Sequence, residues 1–331
     1  MKISALLFLF LLFVNSLFAE NGNFPTTRPD IQKGATDVHI SLYVMDIENI
    51  NNKLQSFTLD VIIRYRWKDS RLKGVEGQYP INSVWYPNIQ LSNLRDSETR
   101  FPKVVVIKKD GTVEYTQRYY ATLRTFLDFK NFPFDTQTLP ITFFAFGVTP
   151  EEVNFVFEKA GSEEKFSISD WEIEPVGASI STIRANVFND SDTEIIRPRL
   201  DYTFKATRYV HFYLWKVLAP MLVILFLSWA VFWIDPSQVG AQIGVSGTSI
   251  LSLIAFLYKL DNILPPVSYL TRMDNFIFTA LILVFLAYLE ALISTTFALK
   301  GKKEFALKLD FTFRVVYPFL FLIVLYVFWV K

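Results

Sequence analysis

Residues 239–258 read VGAQIGVSGTSILSLIAFLY, twenty residues without a charge. A helix of this length covers a bilayer core of about 30 Å. Nine of the fifteen residues from Gln238 to Ser252 are nevertheless Gly, Ser, Thr or Gln. Because polar groups inside a membrane need partners or water, this helix is expected to lie among other helices or to line an aqueous path.

Three more segments are apolar enough to cross a membrane. Trp215–Ile234 carries one charge, Phe276–Leu299 carries one, and Val315–Val330 carries none. The sequence therefore predicts four transmembrane helices, at about residues 209–234, 238–260, 273–299 and 311–330, with a short linker at 300–310. Four lysines in and beside that linker indicate that it is cytoplasmic: Lys300, Lys302, Lys303 and Lys308.

The N-terminal part of the chain is far more polar. Residues 20–208 hold 49 charged side chains in 189 positions, whereas residues 209–300 hold 8 in 92. A formal net charge of +1 gives no basic excess for a nucleic-acid partner. With no cysteine and only two histidines, the chain lacks a disulfide scaffold, a thiol nucleophile and a Cys- or His-rich metal site. The sequence also lacks a nucleophile–base constellation, so no enzyme activity, cofactor or metal is predicted.

The N-terminus is typical of a secretory signal peptide over residues 1–19. Lys2 is followed by an apolar run, Ile3–Val14, and then by the small residue Ala19. The alternative is a membrane anchor, but the run is shorter than the ~20 apolar residues of a span. Cleavage would place residues 20–208 outside the cytoplasm, and four spans would return the C-terminus to the same side. The sequence thus predicts a multi-pass protein of the cell (inner) membrane whose N-terminal domain and C-terminus are periplasmic or extracellular.

The N-terminal domain shows strand-like runs and no long helical period. These runs are rich in β-branched and aromatic residues and are separated by turn signals. They are Ile40–Val44, Phe57–Trp67, Lys103–Ile107, Val113–Thr122, Thr138–Phe146, Asn154–Phe157 and Leu200–Ala206. Asp110-Gly111 is the strongest hairpin signal among the turns. The pattern predicts an all-β, immunoglobulin-like antiparallel sandwich.

A short motif links this domain to a known family. Residues 132–137, Phe-Pro-Phe-Asp-Thr-Gln, resemble the centre of the signature loop of pentameric ligand-gated ion channels, the Cys-loop receptor superfamily. Thr125 and Leu139 stand where animal members have cysteines, so the chain resembles the bacterial branch. Other matches follow in order: residues 67–72 and 85–87 in the sandwich, Arg208 twelve residues before Pro220, residues 262–265 after the second helix, and residues 314–318 in the fourth.

The resemblance implies a homopentamer in which the second helix of each subunit lines the pore. Steps of four and three residues along that helix give one row, and an acid follows at its outer end. The implied pore-lining residues are Gly244, Thr248, Leu251, Ala255, Tyr258 and Asp261. A leucine ring can dewet and close a pore, so Leu251 is expected to form the gate. The alternative is packing, because Gly240-x-x-x-Gly244 also fits close helix pairs.

The resemblance also implies how the two domains communicate and where a ligand binds. The expected coupling residues are Asn52, Phe132, Pro133, Asp135, Arg208 and Pro265, with Asp135 and Arg208 forming an ion pair. The expected ligand site lies between adjacent subunits and is built from Phe146, Ser92 and Phe188 on one side and Ile62 and Arg64 on the other. Ser92 and Arg64 stand where aromatic residues are common, which argues against a simple quaternary amine.

The function implied is that of a channel opened by a small-molecule agonist or by protons. Residues 240–242 make the inner mouth of the pore neutral, while Asp261 and the mildly acidic N-terminal domain favour cations. We therefore expect inorganic cations to permeate. The alternative is a membrane-anchored β-sandwich sensor that binds a ligand without conducting.

Overall fold

The computed structural model describes residues 24–29, 31, 34–186, 194–260 and 265–330. The predicted signal peptide, Phe188 and Asp261 lie outside these residues. The chain divides into two compact units. The sandwich unit comprises residues up to 127 together with 138–169 and 173–206, and the helical unit comprises residues 128–137, 170–172 and 207 onward.

The sandwich unit consists of two sheets. The larger sheet has the order β3-β6-β7-β2-β1-β9, with β5 also paired to β7, and the smaller has the order β10-β11-β8-β4. β1 runs antiparallel to β2 and parallel to β9. The strands are β1 (Thr36–Asn51), β2 (Ser56–Lys68), β3 (Gly77–Pro80), β4 (Ile89–Leu91), β5 (Leu94–Thr99), β6 (Val104–Ile107), β7 (Thr112–Arg124), β8 (Thr136–Ala145), β9 (Val153–Ser162), β10 (Trp171–Asn186) and β11 (Glu194–Arg208).

The core of the sandwich follows from the period of two along each strand. On β2 every second side chain from Phe57 to Trp67 is buried, at 3% exposure or less. Burial of each such side chain stabilises the fold by roughly 1.5–3 kcal/mol. Asp60, on the opposite face of β2, is also buried, and its carboxylate accepts two hydrogen bonds from the guanidinium of Arg118, at 2.9 and 2.6 Å.

The Asp110-Gly111 hairpin is confirmed. β6 and β7 pair antiparallel with Ile107 opposite Val113. Gly111 has a φ of 83°, a left-handed conformation that glycine adopts without strain. A Cβ at this position would also lie 2.5 Å from the carbonyl oxygen of Asp69, so the turn requires glycine for two reasons.

The helical unit contains four long helices. They are α1 (His211–Trp233), α2 (Val239–Leu260), α3 (Arg272–Leu299) and α4 (Lys303–Val330). The first three are each long and apolar enough to cross a membrane. α3 begins with a capping box, in which the side chain of Thr271 accepts a hydrogen bond from the backbone of Asp274 and the Asp274 carboxylate accepts one from the backbone of Thr271. A β-sandwich followed by four helices is therefore the observed fold, as predicted. The sandwich was expected to be antiparallel throughout, and the parallel pairing of β1 with β9 departs from that prediction.

The fourth helix is longer than the sequence analysis expected. It begins at Lys303, so most of the expected linker at residues 300–310 is helical. These residues are good helix formers, and two of them pack on the rest of the unit. Ala306 is fully buried, and the ring of Phe305 lies 4.6 Å from that of Phe297 on α3.

Candidate functional site

The helix α2 has two distinct faces in the isolated subunit. Gln242, Ser246, Ser249, Leu253 and Leu260 are buried against the other helices. The row expected to line a pore is exposed on the opposite side. This outer stripe consists of Gly244, Thr248, Leu251, Ala255 and Tyr258. Leu251 and Tyr258 are 68% and 79% exposed, so two large apolar side chains have no cover within the subunit.

The polar side chains of α2 are divided between these faces. Ser246 and Ser249 donate hydrogen bonds to the carbonyl oxygens of Gln242 and Val245, at 2.9 and 3.0 Å. Thr248, on the outer stripe, donates to the carbonyl of Gly244 at 2.7 Å. These hydroxyls are therefore satisfied by their own helix. The polarity of α2 predicted a helix that lies among other helices or lines an aqueous path, and the buried serines fit the first of these two alternatives.

The alternative of close packing at Gly240 and Gly244 can be examined within one subunit. A Cβ built on either glycine would meet no atom of a neighbouring element within 4 Å, among the residues that the structure describes. Neither glycine therefore supports a close helix contact inside the subunit.

The expected ion pair between Asp135 and Arg208 is present in the helical unit. Arg208 donates two hydrogen bonds to the carboxylate, from Nε to Oδ1 at 2.8 Å and from Nη2 to Oδ2 at 3.0 Å. Both side chains are only 1% exposed. Gln137 also donates from Nε2 to Oδ2 at 2.6 Å. The carboxylate thus has three donors, which offset the cost of burying its charge.

The guanidinium of Arg208 is enclosed by aromatic rings. Its central carbon lies 3.9 Å from the ring centroid of Trp171, 5.0 Å from that of Phe132 and 5.8 Å from that of Tyr213. Desolvated cation–π contacts of this kind contribute up to about 2 kcal/mol. The sequence analysis missed Trp171, because it lies 37 residues before Arg208 and no local pattern predicts the contact.

The signature loop is hydrogen-bonded to the start of α3. The carbonyl oxygens of Lys130 and Phe132 accept from the backbone of Arg272 and Met273, at 3.0 and 3.2 Å. The backbone N–H of Phe129 donates to the hydroxyl of Tyr269 at 2.9 Å. The described hydrogen bonds of the signature loop therefore lead to residues 269–273. Pro265, the coupling residue expected in this region, is buried and lies earlier in the chain. Pro133 follows Phe132 through a cis peptide bond.

The same loop touches the end of α4. The ring of Phe134 lies 5.5 Å from that of Phe328 and 5.4 Å from that of Trp329. Residues 128–137 consequently pack with the ends of two transmembrane helices, and they belong to the helical unit although the adjoining residues belong to the sandwich. This loop is therefore one of the segments of the N-terminal region that belong to the helical unit, together with residues 170–172.

The remaining expected coupling residue, Asn52, lies in the turn between β1 and β2. Asn52 is half-buried, and its backbone carbonyl oxygen accepts a hydrogen bond from Nε2 of Gln55 at 3.3 Å. Asn52 belongs to the sandwich unit. Its role in coupling stays a prediction.

Two of the expected ligand residues lie beside the smaller sheet. Phe146 follows β8 and is 58% exposed, and Ser92 follows β4 and is also exposed. The backbone N–H of Phe146 donates to the carbonyl oxygen of Asn88 at 3.1 Å, and the hydroxyl of Tyr86 donates to the Asn88 side chain at 2.9 Å. Tyr86 is therefore a further aromatic residue of this surface that the sequence analysis did not assign to the site.

The other two lie on the larger sheet. Ile62 and Arg64 are neighbours on one face of β2 and are half-buried. The guanidinium of Arg64 lies 3.9 Å from the carboxylate of Glu114 and 3.8 Å from that of Glu158. The structure thus places the two groups of expected ligand residues on different sheets, and a ligand site shared between adjacent subunits stays a prediction. It also gives Arg64 two acidic neighbours, which reduce its attraction for an anionic ligand.

Comparison with known proteins gives matches along most of the chain. The model of the neurotransmitter-gated ion-channel ligand binding domain matches residues 14–210, and that of the neurotransmitter-gated ion-channel transmembrane region matches residues 217–308. A proton-gated ion channel of Gloeobacter violaceus is 26% identical over 304 residues, which are 89% of this chain and 83% of that protein.

Vertebrate proteins are also similar. The gamma-aminobutyric acid receptor subunit rho-2 of Bos taurus is 25% identical over 80% of this chain, and subunit rho-3 of Homo sapiens is 25% identical over 87%. The chain spans 59% and 64% of the length of these two relatives. The ordered motifs, the sandwich, the helical unit and the two family models agree, and the chain therefore belongs to the neurotransmitter-gated ion channels, a family of pentameric integral membrane proteins that are not enzymes.

Proposed function

We propose that this protein is a subunit of a homopentameric ligand-gated ion channel and that α2 of each subunit lines its central pore. The observation that carries the proposal is the outer stripe of α2. In the most apolar 18-residue stretch of α2, only 22% is buried within the subunit. The corresponding buried shares are 39% for α1 and 44% for α3. The uncovered surface includes two glycines and a threonine, which make a poor contact with lipid.

Five copies of the outer stripe would stack rings of different chemistry along the pore. The Thr248 ring would supply hydroxyl oxygens that can replace part of the hydration of an ion. The Leu251 ring would form an apolar constriction that excludes water when narrow, and the Tyr258 ring a second one. We propose that the Leu251 ring is the gate.

Coupling is proposed to run through the Asp135–Arg208 pair and the signature loop. The pair ties the loop to β11, which leads directly into α1, while hydrogen bonds from the loop reach the start of α3. A bidentate pair fixes both distance and direction. A displacement of the loop would therefore be transmitted to α1 and α3 together.

The stimulus is proposed to be a proton or a small-molecule agonist that binds between subunits. The names of the relatives point to both, since one is a proton-gated channel and others are gamma-aminobutyric acid receptor subunits. Phe146 and Tyr86 offer aromatic surface to an ammonium group, and Arg64 offers a cation to a carboxylate. Because Glu114 and Glu158 partly neutralise Arg64, a zwitterion fits this surface better than a simple anion.

Cations are the proposed permeant ions. The described α2 carries one charged side chain, Lys259, at its outer end, and this lysine would oppose the entry of cations if it faced the pore. Asp261, which lies outside the described residues, would add a ring of acids near the same mouth. Residues 20–208 contain 26 acidic and 23 basic side chains, and this slight excess of negative charge also favours cations.

Orientation and membrane are proposed as well. The lysines between α3 and α4 favour a cytoplasmic position for that connection. The sandwich would then be periplasmic or extracellular, in a protein of the cell (inner) membrane surrounded by lipid on its outer helices.

Recording from the purified protein in planar bilayers tests the function. Steps of pH on the sandwich side and a panel of amines, carboxylates and amino acids, gamma-aminobutyric acid included, should identify a stimulus that evokes current. Under ion substitution the reversal potential should follow the cation gradient. A reversal potential that follows chloride would contradict the selectivity, and the absence of current under every stimulus would favour a non-conducting sensor.

A further inference from the structure

Two acidic residues are buried in the same part of the helical unit. Glu290 on α3 is 2% exposed and Asp310 on α4 is fully buried. Glu290 lies one helical turn before Ser294, on the same buried face of α3, and the hydroxyl of Ser294 donates a hydrogen bond to Asp310 at 2.6 Å. Both are embedded in an isolated subunit, so assembly can only bury them further. Ionisable residues at such positions are costly and mark functional sites more often than structural ones.

The pair is connected to the buried face of α2. Asp310 Oδ1 accepts hydrogen bonds from the hydroxyl of Ser294 at 2.6 Å and from Nε2 of Gln242 at 3.4 Å. Gln242 is fully buried and belongs to α2. The acid pair is thus linked to the same helix that carries the outer stripe.

Several hydrogen-bond acceptors around Glu290 and Asp310 have no donor among the described residues. Both carboxyl oxygens of Glu290, Oδ2 of Asp310 and Oε1 of Gln242 are buried and accept no hydrogen bond from the described residues. An unsatisfied buried acceptor costs about 1–3 kcal/mol, and more if it is charged. Four such atoms in one place indicate that the site takes a positively charged or hydrogen-bond-donating ligand.

The other ionisable groups on the packed helices are engaged elsewhere or distant. On α4, Arg314 donates to the carbonyl of Phe232, Lys303 pairs with Asp235, Tyr317 bonds to Ser228, and Glu304 and Lys308 are exposed. On α1 and α2 the charged residues are Lys216 and Lys259, near the ends opposite to Gln242. On α3, Arg272 and Asp274 lie in the first turn, and Tyr288 is near Gly247.

We propose that Glu290 and Asp310 form a proton-binding site that holds one proton between the two carboxyl groups. The proton converts one carboxyl into a donor for the other and removes one of two like charges. A hard metal cation fits less well, because such ions take six or more oxygen ligands and the cluster offers four free ones. With the proton bound, α2, α3 and α4 are held together through Gln242 and Ser294.

Release of this proton would leave two negative charges in contact and separate α3 from α4. The consequence for gating rests on the proposed channel function. A lower proton concentration on the side where α2 begins and α3 ends should weaken the contact between α3 and α4 through charge repulsion and change the ease of opening.

Infrared spectroscopy of the purified full-length protein tests proton binding without any current. At neutral pH the wild type should show the carbonyl band of a protonated carboxyl group, and the band should shift in D2O. It should be lost in both Glu290→Gln and Asp310→Asn, and kept in Glu304→Gln, an exposed control on the same helix. Absence of the band in the wild type, or its survival in either single variant, would overturn the proposal.

A second measurement uses only the wild type, so it tests the proposal even where the substituted proteins fail to fold. An alkaline titration of the wild type alone should remove the band reversibly, and an unchanged band would contradict the assignment. If the band is absent and sodium ions instead raise the melting temperature, the ligand is a cation and the proton proposal is wrong.

Excised patches then test the link to gating. Changing the pH on the side that faces the inner ends of the helices should shift the half-maximal stimulus by about fivefold or more, the lower end of typical couplings. Glu290→Gln should abolish the shift, and Glu304→Gln should keep it. An unshifted wild-type response overturns the gating link, whereas a protein that never conducts overturns the channel function and leaves the infrared result to decide on the proton site.

Discussion

At the residue scale, the Asp135–Arg208 pair combines full burial with complete hydrogen bonding. The pair was predictable because both residues belong to motifs of the family. The rings around Arg208 were not, since Trp171 and Tyr213 reach it only through the folding of β10 and α1. Local sequence identifies a charge that needs a partner, but the aromatic cage depends on tertiary structure.

Reversing one charge of this pair should impair both folding and gating. Asp135→Arg or Arg208→Asp alone leaves an unpaired buried charge, a change that typically costs about 3–5 kcal/mol. The double variant should recover part of this loss, which thermal unfolding and the half-maximal stimulus would measure. Asp235→Asn is the control, because its pair with Lys303 is exposed. Equal losses in the double and single variants would argue against pairing as the source of the effect.

Leu251→Ser should make the channel easier to open. A polar ring would hydrate the proposed constriction, and the half-maximal stimulus should fall by about tenfold, equivalent to about 1.4 kcal/mol. Ile254→Ser provides a matched control, because Ile254 is also exposed, at 40%, but lies off the outer stripe. Dose–response recordings measure both. An unchanged response in Leu251→Ser would remove the gate assignment.

At the scale of the elements, the strands followed the period of two and the helices followed hydropathy. The face on which each polar residue of α2 lies was not predictable, because glycine, serine and threonine suit both a helix contact and a water-filled path. The start of α4 was also missed, because its charged first turns fall outside the apolar segment by which the helix was predicted. The packing of Ala306 and Phe305 against the rest of the helical unit stabilises the helix in this segment.

The strands β2 and β7 share a group of buried and half-buried tyrosines that should limit stability in alkali. Burial is the main cause that raises the pKa of Tyr65 and Tyr119 above the ordinary value of 10, and Tyr115 is affected in the same direction. Because the folded-state pKa is raised, this stabilisation is complete below the unfolded pKa of about 10 and is lost as the pH rises through the folded values.

The melting temperature should therefore fall above about pH 10, as phenolate formation favours the unfolded chain. Tyr119→Phe should flatten that fall, because it removes one of these groups with little change of shape. Tyr209→Phe is the control, as Tyr209 is 45% exposed. Melting curves across alkaline pH measure the effect, and a slope that is the same in Tyr119→Phe and the wild type would contradict it.

At the scale of the whole molecule, one subunit leaves the outer stripe of α2 uncovered and separates the two halves of the ligand surface onto different sheets. In the proposed homopentamer, neighbouring copies in the ring would complete both features. The number of subunits was predicted from the family resemblance, because the residues of a single chain do not specify how many copies assemble.

The assembled particle should contain five subunits. Each has a mass of 38.4 kDa over the full sequence, and native mass spectrometry of the detergent-purified protein would count them. A Leu251→Ser variant serves as a control for assembly, because it alters the pore and leaves the buried face of α2 unchanged. A monomer or dimer under conditions that preserve ligand responses would be incompatible with a five-fold pore.

Cysteine accessibility tests the central claim, that the outer stripe of α2 meets water inside the assembled protein. The wild type has no cysteine, so single cysteines can be placed without removing native ones. Thr248→Cys and Leu251→Cys should react with a small charged thiol reagent when the stimulus is present, while Ser246→Cys and Ser249→Cys, on the buried face, should stay protected. Protection of Thr248→Cys and Leu251→Cys under every stimulus, or equal reaction at all four positions, would contradict the account.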